Sequence, residues 1–377
     1  MKKSLLIKIL IMALVMVFVF ALVSCDTEGD IYDDPEDLAD VNNDLAKEES
    51  SKGLEFKKGT DAETKTDYYS VVGRGECKDS VIIIPDEYEG LPVTKIGISA
   101  FKESNYDEED GIPRLERIFI PESVVSIAHH AFADCEALKA IILPESLKSI
   151  DRSAFEGCKG AEKLYLGGNL EKINEAAFRG CESLSAVYLP DSLKEMGTNV
   201  FEGCKALVRV VFGAGMNTIA DSTFYGCASL AEITLPANLV EIGDDAFRGC
   251  ENITEFDIPD TVKTVGDRAF LRCVSLEKIV IPVSVETWGN FVTYFCKNLE
   301  TMIYEGTLAQ WDNIKCYPPV EKGKEQKPVS PNESLSMYLS ISATEVTCTD
   351  GTIDIKKILD DNGFKDSANL DPDFDSN

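Results

Sequence analysis

The sequence predicts a repeat solenoid, a stack of 23-residue units that each lay a short β-strand in parallel on the next. Three observations predict it. Cys135, Cys158, Cys181, Cys204, Cys227, Cys250, Cys273 and Cys296 stand 23 residues apart. A phenylalanine precedes seven of these cysteines by three residues, from Phe132 to Phe270. Apolar residues recur at fixed distances after each cysteine, and a proline or glycine closes the run, as at Pro144, Gly167 and Pro190. Equal spacing of this kind marks internal repetition, and a unit this small cannot bury its apolar face without neighbours.

The chain opens with Lys2, Lys3 and Lys8 ahead of an apolar run from Ile9 to Val23. This is the pattern of a secretory signal. Its 15 residues fall short of the roughly 20 that a spanning helix needs. The run ends in Leu22-Val23-Ser24-Cys25, which resembles the lipobox of bacterial lipoproteins. The resemblance implies a signal peptide over 1–24, a lipid on Cys25, and an exported protein held at the cell membrane or outer membrane, on the cell surface. An ordinary cleaved signal followed by a chance cysteine is the competing reading. Residues 26–50 hold eleven Asp or Glu and one Lys. Such a segment buries too little apolar surface to offset its ordering entropy, so 25–53 reads as an acidic tether.

Leu54–Phe56, Tyr68–Val72 and Val81–Ile84 read as strands of an N-terminal cap, and residues 102–113 as an inserted acidic loop. Within each unit, residues 138–158 serve as the example. Leu138, Ile141 and Leu143 alternate like a strand with one face inward. Pro144 ends that strand, because it has no N–H for the ladder. Leu147 and Ile150 turn back toward the core as a second short strand. Ala154, Phe155 and Cys158 fill the remaining side from a tight turn, and Gly157 supplies a backbone angle that other residues resist. An earlier unit has the same phase, with Ile112 in the cysteine place. Nine such units, with one before them, stack to roughly 50 Å at the interstrand spacing.

The unit reads L-x-x-I-x-L-P-x-x-L-x-x-I-x-x-x-A-F-x-x-C and resembles the BspA-like class of leucine-rich repeats. The resemblance runs over 54–353 and implies a right-handed superhelix with a parallel β-sheet, capped at both ends. Tyr88 to Gly97 is similar to the family's longer opening repeat, and Tyr304 to Trp311 to its closing repeat. Residues 321–334 read as a polar linker, Ile341 to Ile353 as a last strand or two, and 354–377 as an acidic tail.

Each ladder cysteine occupies an interior slot, so reduced, buried thiols are expected, acting as small apolar residues. A ladder of disulfides, favoured by an oxidising compartment, is the competing reading. Cys77, Cys316 and Cys348 lie off the period, and Cys316 with Cys348 are candidates for a bridge.

The net charge of -29 excludes a phosphate-backbone partner, which needs a basic patch, so no nucleic acid is expected. No phosphate loop, dinucleotide fingerprint or nucleophile elbow occurs. No C-x-x-C marks a zinc site. His129 and His130 are the sole histidines, and they read as turn residues. No catalytic residue, metal or cofactor is assigned.

The strand positions five and seven after each cysteine point outward from the sheet expected to be concave. The seventh position carries Phe119, Tyr165 and Tyr188, and the fifth carries Arg117, Lys163 and Arg209. Tyr and Arg are enriched at interface hot spots. The bland alternative is that aromatic and β-branched residues suit strands anyway. The resemblance implies an interaction protein that binds host or neighbouring-cell proteins. An envelope scaffold, or a glycan-binding lipoprotein of an uptake system, are the other readings, since function lies in the surface grafted on a scaffold.

Overall fold

The computed structural model describes residues 45–103, 112–316, 327–331, 345–355 and 357. The signal segment, Cys25, the tether through residue 44, the middle of the inserted loop, most of the polar linker and most of the acidic tail lie outside the described residues.

About ten turns of roughly 23 residues stack into a parallel β-solenoid. Each regular turn carries two strands. The first has three residues at the fifth to seventh positions after the cysteine, as in Ala140–Ile142, Lys163–Tyr165 and Ala186–Tyr188. The second has two residues, as in Ser149–Ile150, Lys172–Ile173 and Thr218–Ile219. Like strands pair in register and parallel: Leu164 lies beside Ile141, and Ile173 beside Ile150. This register is forced by the pattern, since a slip of one residue would turn the buried row outward.

The third side of each turn is not a strand, yet it is bonded as regularly. The Ser153, Phe155 and Gly157 amides donate to the Glu175, Ala177 and Arg179 carbonyls of the next turn at 2.8–2.9 Å. Two left-handed residues per turn shape this side. The left-handed positions are the fifth and first before each cysteine, for example Ser153 at φ 52° and Gly157 at φ 75°. Glycine supplies the second of these from 157 to 249. Asp134, Arg272 and Phe295 adopt it without glycine, at a cost of about 1 kcal/mol each.

The core runs the length of the stack. The phenylalanine rings from Phe101 to Phe270 are sealed from solvent and stacked within 13° of parallel. Their centroids are 4.9–5.8 Å apart, mostly wider than the roughly 4.8 Å between bonded strands.

The cysteines sit beside the rings. All eleven described cysteines are buried and free, so Cys316 and Cys348 are not bridged. Each ladder thiol donates to the carbonyl of the preceding turn's phenylalanine: Cys158 to Phe132, Cys181 to Phe155, and so on to Cys296 and Phe270, at 3.1–3.4 Å. The slot thus takes a small, apolar side chain that is also a weak donor, which cysteine satisfies. Ile112, in the cysteine place of the earlier unit, is only half-buried. It lines a cavity of about 300 Å³ with Arg74, Glu103 and Arg114, where the insertion interrupts the turn.

Both ends are closed by antiparallel pairs. Glu55–Thr60 pairs with Asp67–Gly73 at one end, and Glu345–Cys348 with Gly351–Asp354 at the other. The outermost strand at the start carries exposed Lys57 and Lys58, which discourages edge-to-edge pairing. The closing turn departs from the period. Trp311 stands fifteen residues after Cys296, where earlier units have a strand, but it is buried in a short helix, Leu308–Trp311. Thr307 and Gln310 form a capping box that starts this helix. The added residues let Lys315, rather than residue 310, bridge to Thr287.

Candidate interaction face

The three-residue strands alternate outward, inward, outward. Arg117 and Lys163 are exposed, Ile118 and Leu164 are buried, and Phe119 and Tyr165 are half-buried. The alternation puts the fifth and seventh positions in two parallel rows on one outer face, as the sequence implied. Register fixes the order: Ile83 beside Phe119, Ile142 beside Tyr165, and Tyr188 beside Val211. The six candidate residues therefore share one surface. Ile142 interrupts the row's exposure, being only 7% accessible.

Two carboxylates, not singled out from sequence, organise this face. Tyr165 donates its phenol hydrogen to Glu145. That bond, together with burial and the carboxylate's charge, pushes its ionisation up to about 12. Glu145 also accepts from the Gly168 amide at 2.6 Å, so the ring is held to the turn below it. Arg209 pairs with Glu232 of the next turn and also contacts Tyr188. The Arg209–Glu232 pairing was readable, because 23 residues separate the two. Lys159 with Glu136, Lys172 with Glu195 and Lys205 with Glu182 obey the same rule.

The outer face of the two-residue strands is different in kind. It reads Ser126, Ser149, Lys172, Glu195, Thr218 and Glu241, all half-buried or exposed, with an apolar partner buried behind each of them except the half-buried Met196. Strand propensity alone would place β-branched and aromatic residues on both faces. None of these six outward residues is aromatic or a large aliphatic.

His130 has a left-handed backbone and a buried Nδ1 without a hydrogen bond. Burial lowers its pKa, and Lys102 adds to the effect. Among the described residues no group of three or more His, Cys, Asp or Glu is placed to hold a metal ion. No helix among them is long and apolar enough to cross a membrane.

Comparison with known proteins agrees with this architecture. The family model described as BspA type leucine rich repeat region matches residues 94–230 and 217–314, with six copies. Among solved structures, a T. pallidum leucine rich repeat protein is 30% identical. The match covers 55% of this chain and 91% of that one, with a TM-score of 0.46. A leucine rich cell surface protein from Faecalibacterium prausnitzii is 19% identical, over 71% of this chain and 97% of that one, with a TM-score of 0.31. The pneumococcal vaccine antigen PcpA is 19% identical, over 81% and 98%, with a TM-score of 0.34. No curated protein matches the chain.

Proposed function

This chain belongs to the BspA-type leucine-rich repeat family, and on that premise we propose that it is a cell-surface adhesion module, lipid-anchored through Cys25, which binds host or neighbouring-cell proteins. Solenoids of this family typically serve as non-enzymatic binding modules. The observation that carries the proposal is the contrast between the two outer faces. Phe119, Tyr165 and Tyr188 line one face with Arg117, Lys163 and Arg209 beside them, whereas Ser, Thr, Lys and Glu line the other. An aromatic row flanked by cations has the composition of an interface centre.

Surface display has a direct test. Intact cells are treated with protease, and a periplasmic or cytoplasmic marker is followed in parallel. Loss of the solenoid with the marker intact supports display. Full protection would remove adhesion and move the partner inside the envelope. Metabolic labelling with a fatty-acid analogue, lost in Cys25→Ala, tests the anchor.

A further inference from the structure

A charge complement to this face, beyond the Glu232 that pairs with Arg209, lies within the chain itself. Residues 26–44 contain nine Asp or Glu and no Lys or Arg, with Ile31, Tyr32, Leu38 and Val41 interspersed. The chain leaves the described solenoid at the start of the same face. Leu45, the first described residue, is buried. The Ser51 amide donates to the Ile83 carbonyl at 2.9 Å, and the Ile83 amide donates to the Ser51 hydroxyl at 3.1 Å. Ile83 is the strand partner of Phe119, so Ser51, seven residues after the acidic segment, lies at the N-terminal end of the aromatic row.

We propose that residues 26–44 dock in cis along the N-terminal half of the face, with their carboxylates on the Arg117, Lys163 and Arg209 row. The proposal rests on the reading of this face as the binding surface. Reach is ample. Five turns separate Ile83 from Val211, about 24 Å, and nineteen residues extend to about 60 Å. Spacing agrees as well. The three cations occupy alternate turns, about 9.6 Å apart. In a polyproline II strand, residues three apart recur every ~9.3 Å. Asp30, Asp33 and Glu36 have that interval, and Pro35 biases Asp34 toward extended backbone. Residues 37–44 supply the slack. The segment then covers the tyrosines until an external partner displaces it.

The test uses the full chain in detergent and a labelled synthetic peptide of residues 26–44. A second form of the chain carries Asp30→Asn, Asp33→Asn, Asp34→Asn, Glu36→Gln, Asp37→Asn and Asp40→Asn. Fluorescence anisotropy at low salt should show the peptide binding this neutralised chain. Binding to the native chain should be about tenfold weaker or more, because its own segment competes at an effective concentration near millimolar. Arg117→Glu with Lys163→Glu should abolish peptide binding, and Lys172→Glu on the other face should leave it unchanged. Equal peptide affinity for native and neutralised chains overturns the inference, as does absence of binding or indifference to the reversal. If an external protein binds both forms equally, yet still requires Tyr165 and Tyr188, the cis contact is refuted and the binding face survives.

Discussion

The thiol ladder makes the solenoid sensitive to alkali, and the size of the effect follows from burial. Cys158, Cys181, Cys204, Cys227, Cys250 and Cys273 are sealed from solvent, and desolvation raises the pKa of each. Cys181 is pushed from the ordinary 9.0 to about 12. A raised folded-state pKa means the neutral thiol is favoured in the native chain. The resulting stability is complete below pH 9 and is lost as pH rises from 9 toward 12, because the unfolded chain ionises first. Each thiol then contributes a slope of about 1.4 kcal/mol per pH unit. Integrated from pH 9 to 10, where the unfolded thiol is only partly ionised at first, six acting together give about 6 kcal/mol, comparable with the whole stability of a typical domain. Guanidinium unfolding under reducing conditions, followed by circular dichroism at pH 8, 9 and 10, should show a shallow change and then a collapse. Cys204→Ala with Cys227→Ala should lessen the slope above pH 9 by about 3 kcal/mol per unit. A native chain no more alkali-sensitive than this double variant would show that the buried thiols do not set the alkaline limit.

Four further substitutions follow from the packing. Phe201→Ala opens a cavity between two stacked rings and should cost about 3–5 kcal/mol, read as a lowered melting temperature. Gly203→Ala meets nothing nearer than 3.9 Å and strains only its φ of 71°, so about 1 kcal/mol is expected. Gly215→Ala would place a Cβ 2.3 Å from the Leu193 carbonyl oxygen and should cost clearly more, which paired melting curves would order. Asp350→Ala removes the 2.8 Å bond that ties the closing hairpin to the Leu308 amide. It should cost about 1 kcal/mol, with hydrogen exchange accelerated at Glu345–Asp354 and unchanged at Lys163–Tyr165.

The two strands per turn, the sealed phenylalanine and cysteine columns and both caps were legible because a 23-residue period repeats each constraint many times over. Gly157 illustrates this, since its left-handed backbone was inferred from one glycine and recurs at four others. The departures fall where the period is broken and a single copy carries no statistical weight. Trp311 held the right phase but lies in a helix, because Thr307 and Gln310 cap one locally. Ile112 held the cysteine phase but stands beside the insertion and is left half-buried. On the face itself, the outward rows followed from alternation alone. Glu145 did not, because its bond to Tyr165 crosses turns at a separation of 20 residues, away from the repeat interval. The other left-handed position, five before each cysteine and exemplified by Ser153 and Ala176, carries varied side chains and left no signal in the sequence.

In the proposed function, one outer face binds protein through its aromatic row. The most direct measurement is surface plasmon resonance of the native chain and two double variants against immobilised extracellular-matrix proteins and surface proteins of neighbouring bacteria. For a partner bound by the native chain, Tyr165→Ala with Tyr188→Ala should weaken binding about thirtyfold or more, as befits paired hot-spot residues, with the melting temperature retained. Lys172→Ala with Glu195→Ala, on the polar face, should change it less than about threefold, the effect of interface-remote charges. Binding that survives loss of both tyrosines, or depends equally on the polar face, would contradict the claim.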